Sequence, residues 1–167
     1  WLKQLDVNNK PSVSKSAIQA TTEHMANLVE STPSSDFMVN YSQTLVLDNK
    51  AFELLVQRLE QSTSFVFDLE TTSLDYMNAQ IVGWVFLVDK DSFYVPVSHD
   101  YLDVPKQLNF ADVLEKLRPI LENPVIHKVG QNLKYDTHVL ANYDLLLKGI
   151  SDDTMVKSYC LNSVATR

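Results

Sequence analysis

Hydrophobic positions divide the sequence into a polar first part and a strongly patterned second part. From Asp6 to Ser35 the chain is rich in Asn, Ser, Thr, Lys and Pro and contains few large apolar residues. Such a composition cannot bury enough apolar surface to offset the entropy lost on ordering. The pattern therefore predicts a flexible linker over residues 6–37 and a folded domain over residues 38–167.

Two hydrophobic periodicities alternate along the second part. Runs of β-branched and aromatic residues predict strands, and apolar residues spaced at i, i+3, i+4 and i+7 predict helices. Asp48 or Asn49 is expected to cap the first helix and Asn109 the second, which Pro119 should kink or shorten. The predicted strands are residues 38–47, 64–70, 79–88, 92–98 and 124–130, and the predicted helices begin near residues 49, 110, 132 and 152.

The order of these elements indicates the fold class. The strands first come in a run and then alternate with helices, which is typical of an α/β domain built around a mixed sheet. Asp152 and Asp153 are expected to cap the last helix, and Cys160 is expected to lie in the core.

Composition narrows the class of protein further. The 167 residues carry a formal net charge of −7, unlike a basic nucleic-acid-binding module. A polyanionic partner would need metal ions or a neighbouring basic domain to attract it. The single cysteine excludes an internal disulfide and fits a reducing compartment. Because the longest apolar run, Ile81–Val88, is too short to span a bilayer, we expect a cytoplasmic protein that does not enter a membrane.

Two carboxylates stand at the end of a predicted core strand in the segment FVFDLETTS, residues 65–73. Asp68 and Glu70 are two positions apart, so their side chains point to the same face of the sheet. Carboxylates held close together repel each other unless a proton or a cation lies between them, and they are the usual ligands of hard divalent cations. A solvated strand end with a capping role is the alternative interpretation, because the D-x-E tripeptide is common.

A second polar segment, KVGQNLKYD at residues 128–136, favours the metal interpretation. A strand is predicted to end at Gly130 and a helix to open near Asn132. Asn132 and Asp136 would then share one helical face, which can look across at the acidic pair. The alternative is that Asn132 is only a helix cap and Asp136 an exposed acid.

Together the two segments resemble a known family. FDLETTSLD at residues 67–75 and VGQNLKYD at residues 129–136 are similar to the first two motifs of the DEDD 3′–5′ exonucleases. With YVPVSHDYLD, ANYDLLLKGI and SYCLNSVATR, the resemblance extends over residues 38–167 to the proofreading domain of bacterial DNA polymerase I. WLKQL, residues 1–5, stands where the preceding 5′-nuclease domain ends in that family.

The resemblance implies a fold, a reaction and a set of site residues. The fold is ribonuclease-H-like, with a mixed five-stranded sheet flanked by helices. The reaction is two-metal hydrolysis at the 3′ end of single-stranded DNA, with Mg²⁺ as the usual ion and Mn²⁺ or Zn²⁺ as alternatives. Asp68 is implied to bridge both ions, Glu70 to bind one and orient water, and Asp136 to support the other. The positions implied to contact DNA are Thr71, Leu74, Gln131, Asn132, Tyr135 and Arg167.

One of these positions has an alternative interpretation. Leu74 is implied to act as an apolar wedge between the last two bases, but a leucine in a turn can instead pack into the core.

The third motif of the family, Tyr-x3-Asp or His-x4-Asp, is missing, because no tyrosine or histidine of the sequence has an aspartate at either spacing. The domain is therefore expected to be incomplete at its C-terminal end, and the isolated chain to be inactive or weak. The resemblance implies a monomeric parent that supplies the polymerase and 5′-nuclease domains.

Two alternatives remain. One is an RNA-processing enzyme like ribonuclease D, although its first motif usually has an aromatic residue where Thr71 to Ser73 stand. The other is a non-catalytic module that binds a DNA end or supports the polymerase.

Overall fold

A computed structural model describes residues 42–161 of the chain, which form six strands and four helices. The predicted N-terminal stub and linker, and residues 38–41 of the first predicted strand, lie outside the described residues. None of the described helices is long and apolar enough to cross a membrane. The strands are β1 Ser42–Leu45, β2 Ser64–Thr71, β3 Ile81–Val88, β4 Asp91–Pro96, β5 His127–Gly130 and β6 Ile150–Asp153, and the helices are α1 Asn49–Gln61, α2 Phe110–Leu121, α3 Leu133–Ala141 and α4 Thr154–Leu161.

The strands form one mixed sheet in the order β1-β4-β3-β2-β5-β6. Strands β2, β3 and β4 are antiparallel neighbours, β1 is parallel to β4, and β5 and β6 continue the sheet in parallel from β2. The predicted α/β class with a mixed sheet is confirmed. The predicted number of five strands is wrong for the described residues, because β6 has the polar sequence ISDD and no apolar alternation that could reveal it.

One face of the sheet carries the hydrophobic core. Along β2, buried Phe65, Phe67 and Leu69 alternate with exposed positions, so Asp68 and Glu70 share the opposite face. Phe67 contacts the rings of two residues on β3, with centroid distances of 6.3 and 5.7 Å. Helices α1 and α2 add Phe52, Leu55, Val56, Leu59, Val113, Leu117 and Leu121 to the core.

Local signals in the sequence fix the helix boundaries. The Asp48 carboxylate accepts a hydrogen bond of 2.9 Å from the Ala51 amide, and the Asn109 side chain accepts two at the start of α2. Helix α2 contains Pro119 and continues for two residues beyond it, to Leu121. The predicted caps Asp48 and Asn109 are confirmed, whereas a kink or shortening of α2 at Pro119 stays a prediction.

A buried lysine connects the end of α2 to the sheet. The Nζ of Lys128 on β5 donates hydrogen bonds to the carbonyl oxygens of Ile120, Asn123 and Ile126 at 2.7, 2.7 and 2.9 Å. Ile120 lies in the last turn of α2, where helix carbonyls lack intrahelical partners. Burial lowers the pKa of Lys128 to about 8. The amine therefore fixes the strand that leads into the second polar segment.

Replacing Lys128 with methionine is expected to lower the free energy of unfolding by about 2 kcal/mol. Three carbonyls would each lose the hydrogen bond from the amine, while the cost of burying a charge would be relieved in part. Urea denaturation near neutral pH measures the change. Lys134→Met is the matched control, because Lys134 is exposed on α3 and its loss should cost less than about 0.5 kcal/mol. Equal stability of the two variants would contradict a structural role for the buried amine.

Candidate active site

Asp68 and Glu70 lie side by side at the carboxyl end of β2. A register shift in the pairing with β3 falls between Glu70 and Thr71, at the point where the strand ends. Burial raises the pKa of Asp68, and the negative charge of Glu70 raises it further. The two carboxylates therefore repel each other on the face that points away from the core.

Asp136 on α3 completes a group of three acids. Its side chain is only 2% exposed, so it is not an exposed surface acid. Strand β5 pairs with β2 only as far as Val66, and the amide of Leu69 beyond that point donates to Asp136 Oδ1 at 3.2 Å. Burial, followed by the charge of Asp68, raises the pKa of Asp136 to about 7. The third acid is thus held against the strand that carries the other two.

An open pocket of about 650 Å³ lies at this edge of the sheet. Leu74 at its rim is 93% exposed and does not pack into the core. Glu70 and Thr71 follow on β2 beside the pocket, and Arg167 lies outside the described residues. Six of the nine residues implied by the resemblance line the pocket: Asp68, Leu74, Gln131, Asn132, Tyr135 and Asp136.

Helix α3 holds the loop that carries Leu74. The hydroxyl groups of Tyr135 and Thr71 share a hydrogen bond of 2.6 Å, and Tyr135 also donates to the Ser73 carbonyl. Tyr76, which lies further along the same loop, stacks on the ring of His138 with ring centroids 4.6 Å apart. His138 lies three residues after Tyr135, so both share one helical face, and this spacing is the signal by which its contact with the loop could have been predicted.

Asn132 departs from its predicted position. Helix α3 begins at Leu133, and Asn132 precedes it as the N-cap residue with φ 56° and ψ 41°, in the left-handed region. It therefore does not share a helical face with Asp136, and its side chain makes no capping hydrogen bond. The Asp153 carboxylate accepts from the amides of Asn132 and Leu133 at 3.0 and 2.9 Å instead. The shared helical face is therefore wrong, and the alternative that Asn132 caps the helix is right for its position but not for its side chain.

The last helix follows the prediction in part. Asp153 caps α4, accepting from the amides of Met155 and Val156 at 2.9 and 3.2 Å, whereas Asp152 pairs with Lys157. The prediction that Cys160 lies in the core is wrong, because none of the described residues of α4 is buried.

Comparison with known proteins identifies the family. Residues 43–165 match a domain family described as 3′–5′ exonuclease. The chain belongs to this 3′–5′ exonuclease family. DNA polymerase I of Pseudomonas aeruginosa is 46% identical over 126 residues, which are 74% of this chain and 14% of that polymerase. The exonuclease domain thus spans 14% of the length of this relative, and the predicted resemblance to the DNA polymerase I exonuclease is confirmed.

Solved structures show the same fold. The Pol1 structure from M. smegmatis with DNA primer-template and dNTP has a TM-score of 0.59 at 17% identity, covering 74% of this chain and 20% of that one. Trypanosoma brucei RNase D in complex with RNA U12 has a TM-score of 0.55 at 18% identity, covering 68% and 38% of the two chains. The predicted ribonuclease-H-like fold is confirmed.

A second cluster flanks Glu70 in the exonuclease domain. Tyr94 on β4 packs over Gly83, where an added Cβ would lie 2.2 Å from the tyrosine hydroxyl oxygen. The hydroxyl also hydrogen-bonds to His99 Nε2, and Gln107 bonds to both the amide and the carbonyl of His99 at 2.8 Å. Burial raises the pKa of Tyr94, and the charge of Glu70 adds to the effect.

The donor set of the site suits a divalent cation. Among residues 42–161, no three His, Cys, Asp or Glu side chains are grouped closely enough to hold a metal ion unaided. Asp68 nevertheless has like-charge interactions with both Glu70 and Asp136, which a cation between the carboxylates would relieve. Oxygen donors of this kind fit hard ions such as Mg²⁺ in an open site.

Proposed function

We propose that the chain acts as the proofreading 3′–5′ exonuclease of a DNA polymerase I, removing 3′-terminal nucleotides from single-stranded DNA during replication and repair. Its family supports nuclease chemistry, and the polymerase relative at 46% identity supports DNA as the substrate. The observation that carries the site is the buried Asp136, which contacts β2 beside Asp68 at the edge of the pocket. A cytoplasmic, monomeric parent chain with polymerase and 5′-nuclease domains belongs to the proposal.

Divalent ions complete the proposed site. Members of this exonuclease family generally use divalent metal ions. Two Mg²⁺ ions are proposed here, with Mn²⁺ or Zn²⁺ as alternatives, and the carboxylates of Asp68, Glu70 and Asp136 are the groups that would hold them. Bound ions would activate water and stabilise the leaving 3′-oxygen.

The remaining pocket residues would hold the end of the DNA strand. Leu74 projects from the rim and would separate the last two bases. The side chains of Gln131, Asn132 and Tyr135 would contact the terminal nucleotides. Thr71 and Arg167 are proposed to contact the 3′ end and the strand backbone. Because the chain has a net charge of −7, bound cations and a neighbouring domain would supply most of the attraction for phosphate.

Leu74→Ala is expected to weaken binding of a single-stranded oligonucleotide about tenfold without lowering the melting temperature. The side chain is 93% exposed, so it contributes little to folding but would lose its contact with the bases. Fluorescence anisotropy with a labelled DNA strand measures the affinity. Leu102→Ala is the matched control, since Leu102 is 90% exposed in a different loop. Equal weakening by both substitutions would contradict the wedge role.

The direction and substrate of cleavage test the proposed function. A DNA strand labelled at its 5′ end and carrying a 3′ mismatch is incubated with Mg²⁺ and the parent chain, because the isolated chain is expected to be inactive or weak, and a parallel reaction uses RNA of the same sequence. We expect a ladder of products shortened from the 3′ end, with DNA degraded faster than RNA. Faster loss of RNA would favour the ribonuclease-D-like alternative, and binding without shortening, in the parent chain as well, would favour a non-catalytic module.

A further inference from the structure

One carboxylate joins the N-termini of two helices near the pocket. Asp153 Oδ1 accepts hydrogen bonds from the amides of Asn132, Met155 and Val156 at 3.0, 2.9 and 3.2 Å, and its Oδ2 accepts one from Leu133 at 2.9 Å. The first amides of a helix have no intrahelical partner, and the helix dipole favours a negative charge there. A single side chain therefore serves both α3 and α4.

Asn132 would ordinarily perform this role for α3 itself. An N-cap asparagine usually accepts a hydrogen bond from the second or third helical amide. Here the Asn132 side chain makes no such bond, and its backbone adopts a left-handed conformation, which asparagine enters more readily than most residues but less readily than glycine. Such a conformation persists where surrounding contacts determine it, and the two bonds to Asp153 are contacts of this kind.

The substitution of caps has a consequence for the pocket. Asp153 accepts from the backbone amides at the start of α3 from outside that helix. The side chain of Asn132 is therefore not engaged in capping, and Asn132 lines the pocket with Gln131 and Asp136. Asp153 itself does not line the pocket.

We propose that Asp153 is a positioning residue for nucleotide binding, which holds Asn132 in the left-handed conformation and leaves its side chain available to the DNA end. This inference rests on the proposed function, because it assigns the pocket to a nucleotide. Asp153 is 21 positions away from Asn132 in the sequence, and its effect on DNA binding passes through Asn132.

Asp153→Asn tests the proposal with nearly unchanged side-chain volume. One carboxylate oxygen becomes an NH₂ group, so at least one of the helix amides faces a donor instead of an acceptor. We expect hydrogen exchange at the amides of Asn132 and Leu133 to become about tenfold faster in the absence of DNA. The dissociation constant for a fluorescein-labelled single-stranded DNA with a 3′-hydroxyl, measured in Ca²⁺ with the full chain, should rise about tenfold.

Two further variants separate positioning from simple loss of stability. Asn132→Gly adopts the left-handed backbone without strain and removes the side-chain amide group of Asn132. If Asp153 acts through that side chain, adding Asp153→Asn to this variant should change the dissociation constant for DNA less than about twofold. Asp48→Asn alters the cap of α1, whose N-terminus lies outside the pocket, and should lower stability without changing DNA affinity.

The outcomes distinguish this inference from the proposed function. Unchanged exchange at Asn132 in Asp153→Asn, or equal weakening of binding with and without the Asn132 side chain, would overturn the positioning role. If the wild-type chain binds no DNA while Asp153→Asn still accelerates exchange at Asn132, the proposed function fails and the hold of Asp153 on Asn132 is supported.

Discussion

Replacing Asp68 with alanine is expected to lower the rate of 3′-nucleotide release by about 10³-fold or more. Asp68 interacts with the charges of both Glu70 and Asp136, so its loss would remove a ligand from each proposed ion. A loss of several kcal/mol of transition-state stabilisation corresponds to a rate change of this size. Release of the terminal nucleotide from a DNA strand with a mismatched 3′ end, assayed with Mg²⁺ in the parent chain, measures the effect.

Controls separate this loss of rate from a loss of folding. Asp68 lies on the face of β2 opposite the hydrophobic core and is repelled by Glu70, so its replacement should leave the melting temperature unchanged or slightly higher. Asp112→Ala removes an exposed carboxylate from the first turn of α2, away from the pocket, and should leave the rate within about twofold of wild type. An Asp68→Ala chain that retains more than about one tenth of the wild-type rate would contradict the proposed role.

Asp136→Asn is expected to stabilise the metal-free chain by about 4 kcal/mol near pH 8 and to have little effect below about pH 4. The pKa of Asp136 is about 7 in the fold against 3.8 ordinarily, so the native state binds this proton more tightly than the unfolded chain. The wild type therefore loses stability as pH rises from about 4 to about 7, and above that range it carries the full cost of a buried charge. Asparagine keeps an acceptor for the Leu69 amide and removes the charge.

The same substitution should also remove most of the stabilisation that Mg²⁺ gives to the chain. A cation bound at Asp136 would replace the proton, so Mg²⁺ should stabilise the wild type more at about pH 8 than at about pH 6. The asparagine variant should gain much less from Mg²⁺. Urea denaturation across this pH range, with and without Mg²⁺, measures both effects. An asparagine variant that is less stable than wild type near pH 8 without metal would contradict the assigned cost of the buried carboxylate.

Much of the fold could be predicted because the signals are local. Alternation along β2 and the caps Asp48 and Asn109 each depend on residues within one element. Strand β6 could not be predicted, since its pairing with β5 depends on backbone contacts that leave no apolar pattern in its sequence. The burial of Lys128 could not be predicted either, because a lysine in a short strand ordinarily indicates an exposed position.

In the candidate site, too, features set within one element could be predicted and features set by contacts between distant segments could not. The same-face placement of Asp68 and Glu70 follows from strand geometry, whereas the roles of the site residues came from the resemblance to a family. The left-handed backbone of Asn132 and its bonds to Asp153 depend on a contact between distant segments, which helical periodicity does not contain. The periodicity therefore extended α3 one residue too far toward its N-terminus.

Calorimetric titration with Mg²⁺ tests most directly whether Asp68, Glu70 and Asp136 form one metal site. We expect saturable binding to the wild-type chain near pH 8, at least about tenfold weaker binding to Asp68→Ala, Glu70→Gln and Asp136→Asn, and unchanged binding to Asp112→Ala. The same affinity in all five chains, or no binding to the wild type, would contradict a metal site at the end of β2.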